Sequence, residues 1–350
     1  DFGDYGLLPT AVQWERPSDP SRGMWMSGRR YFIVGGAGFI GSHFTDELLA
    51  DQTIEAVTVF DSFASGRHWH VEHHLGDPRF VVIEGDVRDT GSLNAALEGH
   101  DTLIHLASNP DIAAAVANPA IDFDDGTLLT HCVVEAARQK GVETILYASG
   151  SGVYGELGTF EADEDYGPLI PVSTHAASKL AGEALLSSYA YMFGIRCLAF
   201  RFGNVVGPRQ THGVGFDFIR RLRREPDYLL VLGDGRQSKS YVHVEDVIRG
   251  VQHANGVSDQ PYSVYNLATG DYITVSEIAT LAIECLGFDQ GAVRIEYTGG
   301  DRGWRGDVPV VRLNSDRLEA TGWRCQRSSS EALREAMLSM ISDDEQGLFD

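Results

Sequence analysis

Tyr31-Phe32-Ile33-Val34-Gly35-Gly36-Ala37-Gly38-Phe39-Ile40-Gly41 is the stretch on which the reading of this chain turns. Four apolar, β-favouring residues run straight into a glycine-rich turn, and a helix-competent segment follows to residue 50. Glycines in such a turn let the backbone approach a pyrophosphate, and the helix behind it offers unpaired amides and a favourable dipole. A glycine pattern alone is equally at home in an ordinary loop. The strand–turn–helix setting narrows it, and so does Asp61, 20 residues beyond Gly41 at the end of the next strand candidate. A carboxylate there accepts hydrogen bonds from an adenosine ribose diol and repels a 2′-phosphate, so the expected cofactor is NAD rather than NADP.

Working outward, short β-rich runs alternate with helical segments. Strands are expected at Tyr31–Val34, Ala56–Phe60, Phe80–Ile83, Thr102–Leu106, Thr144–Ala148 and Arg196–Phe202. Helices are expected near 41–50, 91–98, 119–140 and 175–193. That order predicts an α/β fold, a doubly wound parallel sheet covered on both faces. Past residue 203 the alternation loosens, with Gly/Pro-rich loops at 203–215 and 299–309. Four regions follow: an N-terminal extension 1–28, a cofactor domain 29–202, a smaller substrate-binding part 203–341 interleaved with it, and an acidic tail 342–350. The end of that tail, Asp343–Asp350, is expected to fray.

Composition bounds the class. With 350 residues, 43% hydrophobic and 22% charged, the chain resembles an ordinary globular enzyme. No apolar run approaches the roughly 18 residues that would cross a bilayer, so no membrane partner is expected. The first 28 residues lack a basic start followed by an apolar block, so no secretory signal is expected, and Met24 or Met26 is a candidate start. Cys132, Cys197, Cys285 and Cys325 are widely spaced, which fits free thiols and a cytoplasmic location. A net charge of −22 argues against a nucleic-acid partner. Residues 1–195 carry −18 of it and residues 196–350 only −4, which suits an anionic ligand in the second half. Lys140, Lys179 and Lys239 are the only lysines, against 25 arginines.

The spacing Gly35-x-x-Gly38-x-x-Gly41 resembles that of the extended short-chain dehydrogenase/reductase family, whose nucleotide-sugar epimerases and dehydratases share a Rossmann sheet. The likeness runs from residue 30 to about 340. By that resemblance, Gly35, Gly38, Phe39, Ile40, Gly41 and Asp61 hold NAD. Asp86 and Val87, in Gly85-Asp86-Val87, would meet the adenine, and Leu106, Ala107 and Ser108, after His105, would lie beside the nicotinamide ribose. Gly126-Thr127, within Asp124-Asp125-Gly126-Thr127, resembles the family's Asn-x-x-Gly-Thr-type segment with Asp in place of Asn. The helices at 119–140 and 175–193 resemble those that pair across the family's homodimer.

The family oxidises a sugar alcohol by passing hydride to NAD⁺, while a Tyr-x-x-x-Lys helix and a Ser or Thr hydroxyl handle the proton. Here Thr174-His175-Ala176-Ala177-Ser178-Lys179-Leu180-Ala181-Gly182-Glu183 keeps the lysine and offers an imidazole instead of the phenol. Lys179 would bind the nicotinamide ribose and depress the acid/base pKa. His175 shares its helix face, being four residues away. Three roles are open to it: a replacement acid/base, a substrate-positioning group, or a relic of lost hydride chemistry, the first two ranking above the third. In Ser149-Gly150-Ser151-Gly152-Val153-Tyr154-Gly155 the usual hydroxyl position falls on Gly150, leaving Ser151, ahead of Ser149, as its stand-in.

On the sugar side, Asn204 in Arg201-Phe202-Gly203-Asn204-Val205-Val206-Gly207-Pro208-Arg209 matches a position facing the substrate diphosphate. Lys239, within Gly235-Arg236-Gln237-Ser238-Lys239-Ser240-Tyr241-Val242-His243, stands where the family has Arg, and Arg302 in Gly300-Asp301-Arg302-Gly303-Trp304 would add a second cation. The Thr211-His212-Gly213-Val214 loop should line the sugar pocket, His243 should be structural, and Arg220-Arg221-Leu222-Arg223-Arg224 should be a solvated face. The expected substrate is a nucleotide-diphosphate sugar and no metal is expected. Epimerisation leads, and dehydration or decarboxylation share its keto intermediate. A non-catalytic NAD-binding sensor is the rival, and proton transfer at His175 without net hydride transfer is a third reading.

Overall fold

The computed structural model describes residues 29–349. The extension 1–28, and with it the reading of its signal and start residues, lies outside the described residues.

Strand β1 (Arg30–Val34) is buried on both faces, which is why its sequence is an unbroken apolar run. Tyr31 and Ile33 point into one core with Phe44 and Leu48 of α1 (Phe39–Ala50). Phe32 and Val34 point into the other, with Leu93 of α2 (Thr90–Leu97), Val133 of α3 (Leu129–Lys140) and Leu186 of α4 (Thr174–Phe193). The next strands are β2 (Ala56–Asp61), β3 (Phe80–Glu84), β4 (Thr102–His105), β5 (Thr144–Gly150) and β6 (Arg196–Phe202). The predicted strands are present, most of them one or two residues longer.

After β6 come β7 (Asn204–Val206), α5 (Val214–Arg224), β8 (Tyr228–Val231), β9 (Ser238–Lys239), β10 (Tyr241–His243), α6 (Val244–Val257) and β11 (Tyr262–Leu267). Strand β11 returns to pair with β6, giving a seven-stranded sheet ordered β3-β2-β1-β4-β5-β6-β11, parallel at every junction. The order reverses between β1 and β4, so a crevice opens outside their carboxyl ends. Helix α6 packs beside α1. One strand and one helix from beyond residue 203 complete the sheet begun at residue 30.

The remaining elements form a smaller unit. In it β10 pairs with β7, β12 (Ile273–Thr274) with β9, and β13 (Arg294–Tyr297) with β8. Its core gathers Phe216, Ile219 and Leu222 of α5, Ile278 and Leu281 of α7 (Val275–Cys285), and Leu333 and Met337 from near the chain end.

Two expectations need correcting. The helix expected across 119–140 is not uniform, because Phe123–Leu128 forms a π-helical turn before α3. The acidic end is also not frayed through Phe349. After the short α8 (Asp316–Glu319), α9 runs from Ser329 to Glu345 behind a capping box of Ser328 and Glu331. Arg223 of the basic helix pairs with Asp344 and Glu345, and the Phe349 ring lies 5.1 Å from that of Phe216. Buried aromatic area and opposite charge hold down a segment whose composition alone reads as a tail.

Candidate active site

The glycine turn shows why its residues must be small. Gly35 has φ +81°, and a Cβ there would lie 2.8 Å from the Ala107 nitrogen, so β1 and β4 end in touching turns. A Cβ on Gly41 would lie 2.4 Å from the Gly35 oxygen. Helix α1 follows Gly38, which offers no side-chain cap and leaves the first amides of the helix to an anion. Phe39 is buried and Ile40 half-buried, anchoring the first turn to the core.

Asp61, at the end of β2, is buried and accepts backbone N–H bonds from Ala37 and Phe63, each at 2.9 Å. Burial pushes its carboxyl above the usual range, and those donors oppose the push. Each oxygen retains a lone pair for a ribose diol. The Gly85 amide bonds to the Asp61 carbonyl at 2.9 Å, which places Asp86 and Val87 alongside. Val87 is buried, whereas the Asp86 carboxylate is half-exposed and paired with Arg88 at 2.6 Å. Leu106 and Ala107 donate to the Val34 carbonyl at 2.9 and 3.1 Å, and Ser108 follows in the same turn. A cradle that any Cβ would fill, uncapped amides and a carboxylate with spare acceptors fit NAD.

At the adjoining strand end, Ser173 caps α4 by accepting from the Ala176 amide. His175 and Lys179, four residues apart, share one face of that helix. Lys179 is buried, and its Nζ donates to the Ala148 carbonyl at 2.8 Å. Burial lowers its pKa to about 8, with Asp122 pulling the other way. Burial first, then the Lys179 charge, lowers His175 to about 4, so its imidazole is neutral near pH 7. Its Nδ1 lies 3.6 Å from Oδ1 of Asp122.

The two serine candidates separate. Ser149 is buried and donates to Glu183 Oε1 at 2.5 Å, in a network that continues through Arg201 to Tyr154 and Asn266. Its hydroxyl is committed to the core, which corrects its reading as a catalytic group. Ser151 opens a short turn and is half-buried beside Val310–Leu313. Gly150 is extended, and a Cβ there would meet nothing within 4 Å. A side chain would fit, and none is present.

Lys239 and Arg302 converge on Asp307. Lys239 Nζ lies 2.7 Å from its Oδ1, while Arg302 donates to its carbonyl at 3.1 Å and pairs with Glu156. A Cβ on neighbouring Gly306 would lie 3.5 Å from the Ser173 Cβ, so this loop abuts the cap of the helix that carries His175. Asn204 lies on β7, with its amide bonded to the Ser240 carbonyl at 3.0 Å. His243 caps α6 by accepting from the Glu245 amide, a structural role as expected.

Sequence reasoning missed Asp122, Asn109, Glu156 and Asp307. Asp122 precedes Asp124 and Asp125 and has no local signal of its own, because only folding brings it to His175. A separate group, Asp46, His73 and His74, is joined by Arg209 and ties α1 to the loop after β7.

Comparison with known proteins agrees with this geometry. A family model described as the NAD dependent epimerase/dehydratase family matches residues 31–268. A putative UDP-glucose 4-epimerase of Methanocaldococcus jannaschii is 28% identical over 309 residues, 86% of this chain and 95% of that protein. The crystal structure of a UDP-galactose 4-epimerase superposes with TM-score 0.79 at 35% identity, covering 90% of this chain and 99% of the other. DesIV, a dTDP-glucose 4,6-dehydratase from Streptomyces venezuelae solved with NAD bound, gives TM-score 0.82 at 27% identity over 91% and 98%. Among the described residues no helix is long and apolar enough to cross a membrane. With the sheet, the cradle and the lysine helix accounted for, the chain belongs to the NAD-dependent epimerase/dehydratase family and is an enzyme that uses NAD.

Proposed function

We propose that this enzyme is a nucleotide-sugar epimerase that transiently oxidises one sugar carbon to a ketone, with His175 as the acid/base in place of a phenol. The observation that carries the reading is the junction at Gly306 and Ser173, where the loop of Arg302 meets the helix of His175. A diphosphate held by Lys239 and Arg302 would set its sugar beside that helix, with Asn204 on the adjoining strand. Bound NAD supplies a reversible hydride acceptor. Lys179 would hold the nicotinamide ribose and keep His175 neutral, ready to take the hydroxyl proton. Ser151 is the remaining hydroxyl for orienting the sugar.

Epimerisation is favoured over dehydration by what the turn after β5 lacks. Eliminating water from a keto-sugar needs a further acid and base at the neighbouring carbons, and Ser149-Gly150-Ser151-Gly152 offers no carboxylate. The nearby acids Glu156 and Asp307 are paired with Arg302 and Lys239. A sensor without chemistry has no use for cations on the sugar side. Exposed Tyr191 and Met192 on α4 support a homodimer through the α3–α4 face, and four free cysteines support a cytoplasmic enzyme.

The test is a screen of the purified protein with UDP-, dTDP-, GDP- and CDP-sugars, following NADH absorbance and product stereochemistry. Inversion at one sugar carbon is the expected result. No turnover and no ligand-induced reduction with any of them would overturn the proposal.

A further inference from the structure

Asp122 is the most deeply buried carboxylate beside the lysine helix, 1% exposed, and the reaction as described so far leaves it without a task. Two donors fix it. Thr174 Oγ1 donates to its Oδ2 at 2.6 Å, and Asn109 Nδ2 donates to its Oδ1 at 2.9 Å. Asn109 is held in turn, accepting from the Asp111 amide at 3.0 Å and donating to the Asp111 carbonyl at 2.9 Å. The Oδ1 atom faces His175 Nδ1 at 3.6 Å, and that buried nitrogen has no hydrogen-bond partner among the described residues. The separation exceeds a hydrogen bond by about 0.5 Å, a gap that a small ring rotation closes.

The backbone is built for this meeting. Asp122 ends one helical turn, and the π-helical turn Phe123–Leu128 follows at once. A π-turn inserts a residue, which rotates everything before it by about 100° relative to a continuous α-helix. Without that insertion the carboxylate would leave the face that packs against α4.

We propose that Asp122 is the positioning partner of His175: it accepts the Nδ1–H, fixes that tautomer, and turns a bare Nε2 toward the sugar hydroxyl. The role rests on the reading of His175 as acid/base given above. In the forward half the hydroxyl O–H bond breaks and its proton goes to Nε2, while the carbon's hydride leaves to the oxidised cofactor and C=O forms. In the return half hydride comes back to the opposite face and Nε2 gives its proton to the oxygen. Charge explains why an imidazole needs this partner. A phenolate that becomes a phenol passes from −1 to 0. An imidazole alone passes from 0 to +1, next to the buried Lys179 cation. Asp122 with His175 passes from −1 to 0, as the phenol does. Lys179 on the same helix and Asp122 opposite are the charged groups that bear on this ring, and they act on it in opposite directions.

The experiment is nitrogen-15 NMR of histidine-labelled, NAD-loaded protein, with the His175 signal assigned by its loss in His175→Phe. The wild type should show the Nδ1–H tautomer, and Asp122→Asn should shift it toward Nε2–H. On a nucleotide sugar that the wild type turns over, Asp122→Asn should lose about 100-fold in kcat with KM within about threefold, and Asp122→Glu should recover part of the loss. Thr174→Val, which removes one donor and keeps the shape, should move both readouts less and in the same direction, and it replaces Asp122→Asn if that variant does not fold. An unchanged tautomer overturns the pairing, and so does kcat near wild type. If the wild type turns over no nucleotide sugar, the acid/base reading fails separately, while a tautomer that follows Asp122 still upholds the pairing.

Discussion

Replacing Lys179 with methionine should stabilise the fold while abolishing catalysis. Lys179 sits in the protein with a pKa of about 8, against 10.5 for a free side chain. Burial of the ammonium is the main cause, only partly offset by Asp122. At roughly 1.4 kcal/mol per unit, holding the charged form costs about 3 kcal/mol near pH 7. Methionine keeps most of the stem without the charge. It also removes the bond from Nζ to the Ala148 carbonyl, and leaving that acceptor unpaired costs about 1–2 kcal/mol. The net gain is of the order of 1–2 kcal/mol, or a few degrees in Tm for a chain of this size. The sign with pH is fixed by the depressed folded pKa. Below about 8 both states of the wild type are protonated at Lys179 and the penalty is complete. Between 8 and 10.5 the unfolded state binds more protons, so wild-type stability rises with pH, and above 10.5 the penalty is gone. The advantage of Lys179→Met should therefore be full at pH 7 and reversed to a deficit of about 1 kcal/mol by pH 10.5, where neutral Lys179 still bonds the Ala148 carbonyl and methionine does not. Denaturant melts of both proteins across that range, freed of NAD so that cofactor affinity does not enter, make the measurement. A variant less stable than wild type at pH 7, or an advantage independent of pH, would refute the burial argument.

Asp61→Asn removes the charge proposed to accept the ribose diol, so NAD affinity should fall about 10- to 100-fold by calorimetry while the preference over NADP narrows. Arg302→Ala should raise KM for a nucleotide sugar about 10- to 100-fold and leave kcat within about threefold, with little loss of stability because its partner Glu156 is partly exposed. If His175 acts as the proposed base, the acid limb of kcat/KM should fall near pH 4 rather than near 6.5, because protonation removes the neutral imidazole. His175→Tyr alone should stay nearly inactive because Asp122 opposes a phenolate, whereas His175→Tyr with Asp122→Asn should recover turnover over the single variant in the same assay.

How much of this was legible follows from the range of the signals. The cofactor half is written in one motif: Gly41 is required by contacts within the turn, Gly35 by its φ of +81° as well as by Ala107 across the sheet, and Asp61 hydrogen-bonds to Ala37 in that same turn. Such constraints repeat at fixed spacing and can be read along the chain. Lys179 was legible for the same reason, through its helix. Ser149 misled because sequence cannot say which way a strand-end hydroxyl points, and here it answers to Glu183, 34 residues away. Asp122 was invisible because its meaning depends on a π-turn and on a helix that begins some 50 residues later. The acidic end misled because its composition hides Phe349, which packs against Phe216.

The two departures at the strand end and on α4 belong together. An imidazole is shorter than a phenol, so a sugar hydroxyl must come closer to α4 to reach Nε2. The wall it would approach along is the end of β5, where the Gly150 position opens on free space and carries no hydroxyl. A side chain there would narrow that space, and on the proposed reading its absence leaves room for a sugar to come closer to α4. On that reading Lys179 serves either base, because the two tasks assigned to it there, a ribose hydroxyl and a positive field at the acid/base, do not depend on which base takes the proton. The field does differ in consequence. It lowers a phenol toward the form that accepts a proton and lowers an imidazolium in the same direction, but only the imidazole then has to carry a cation beside it. That difference of one charge is what the buried Asp122 supplies, which makes it, rather than Lys179, the residue on which an imidazole at this position depends.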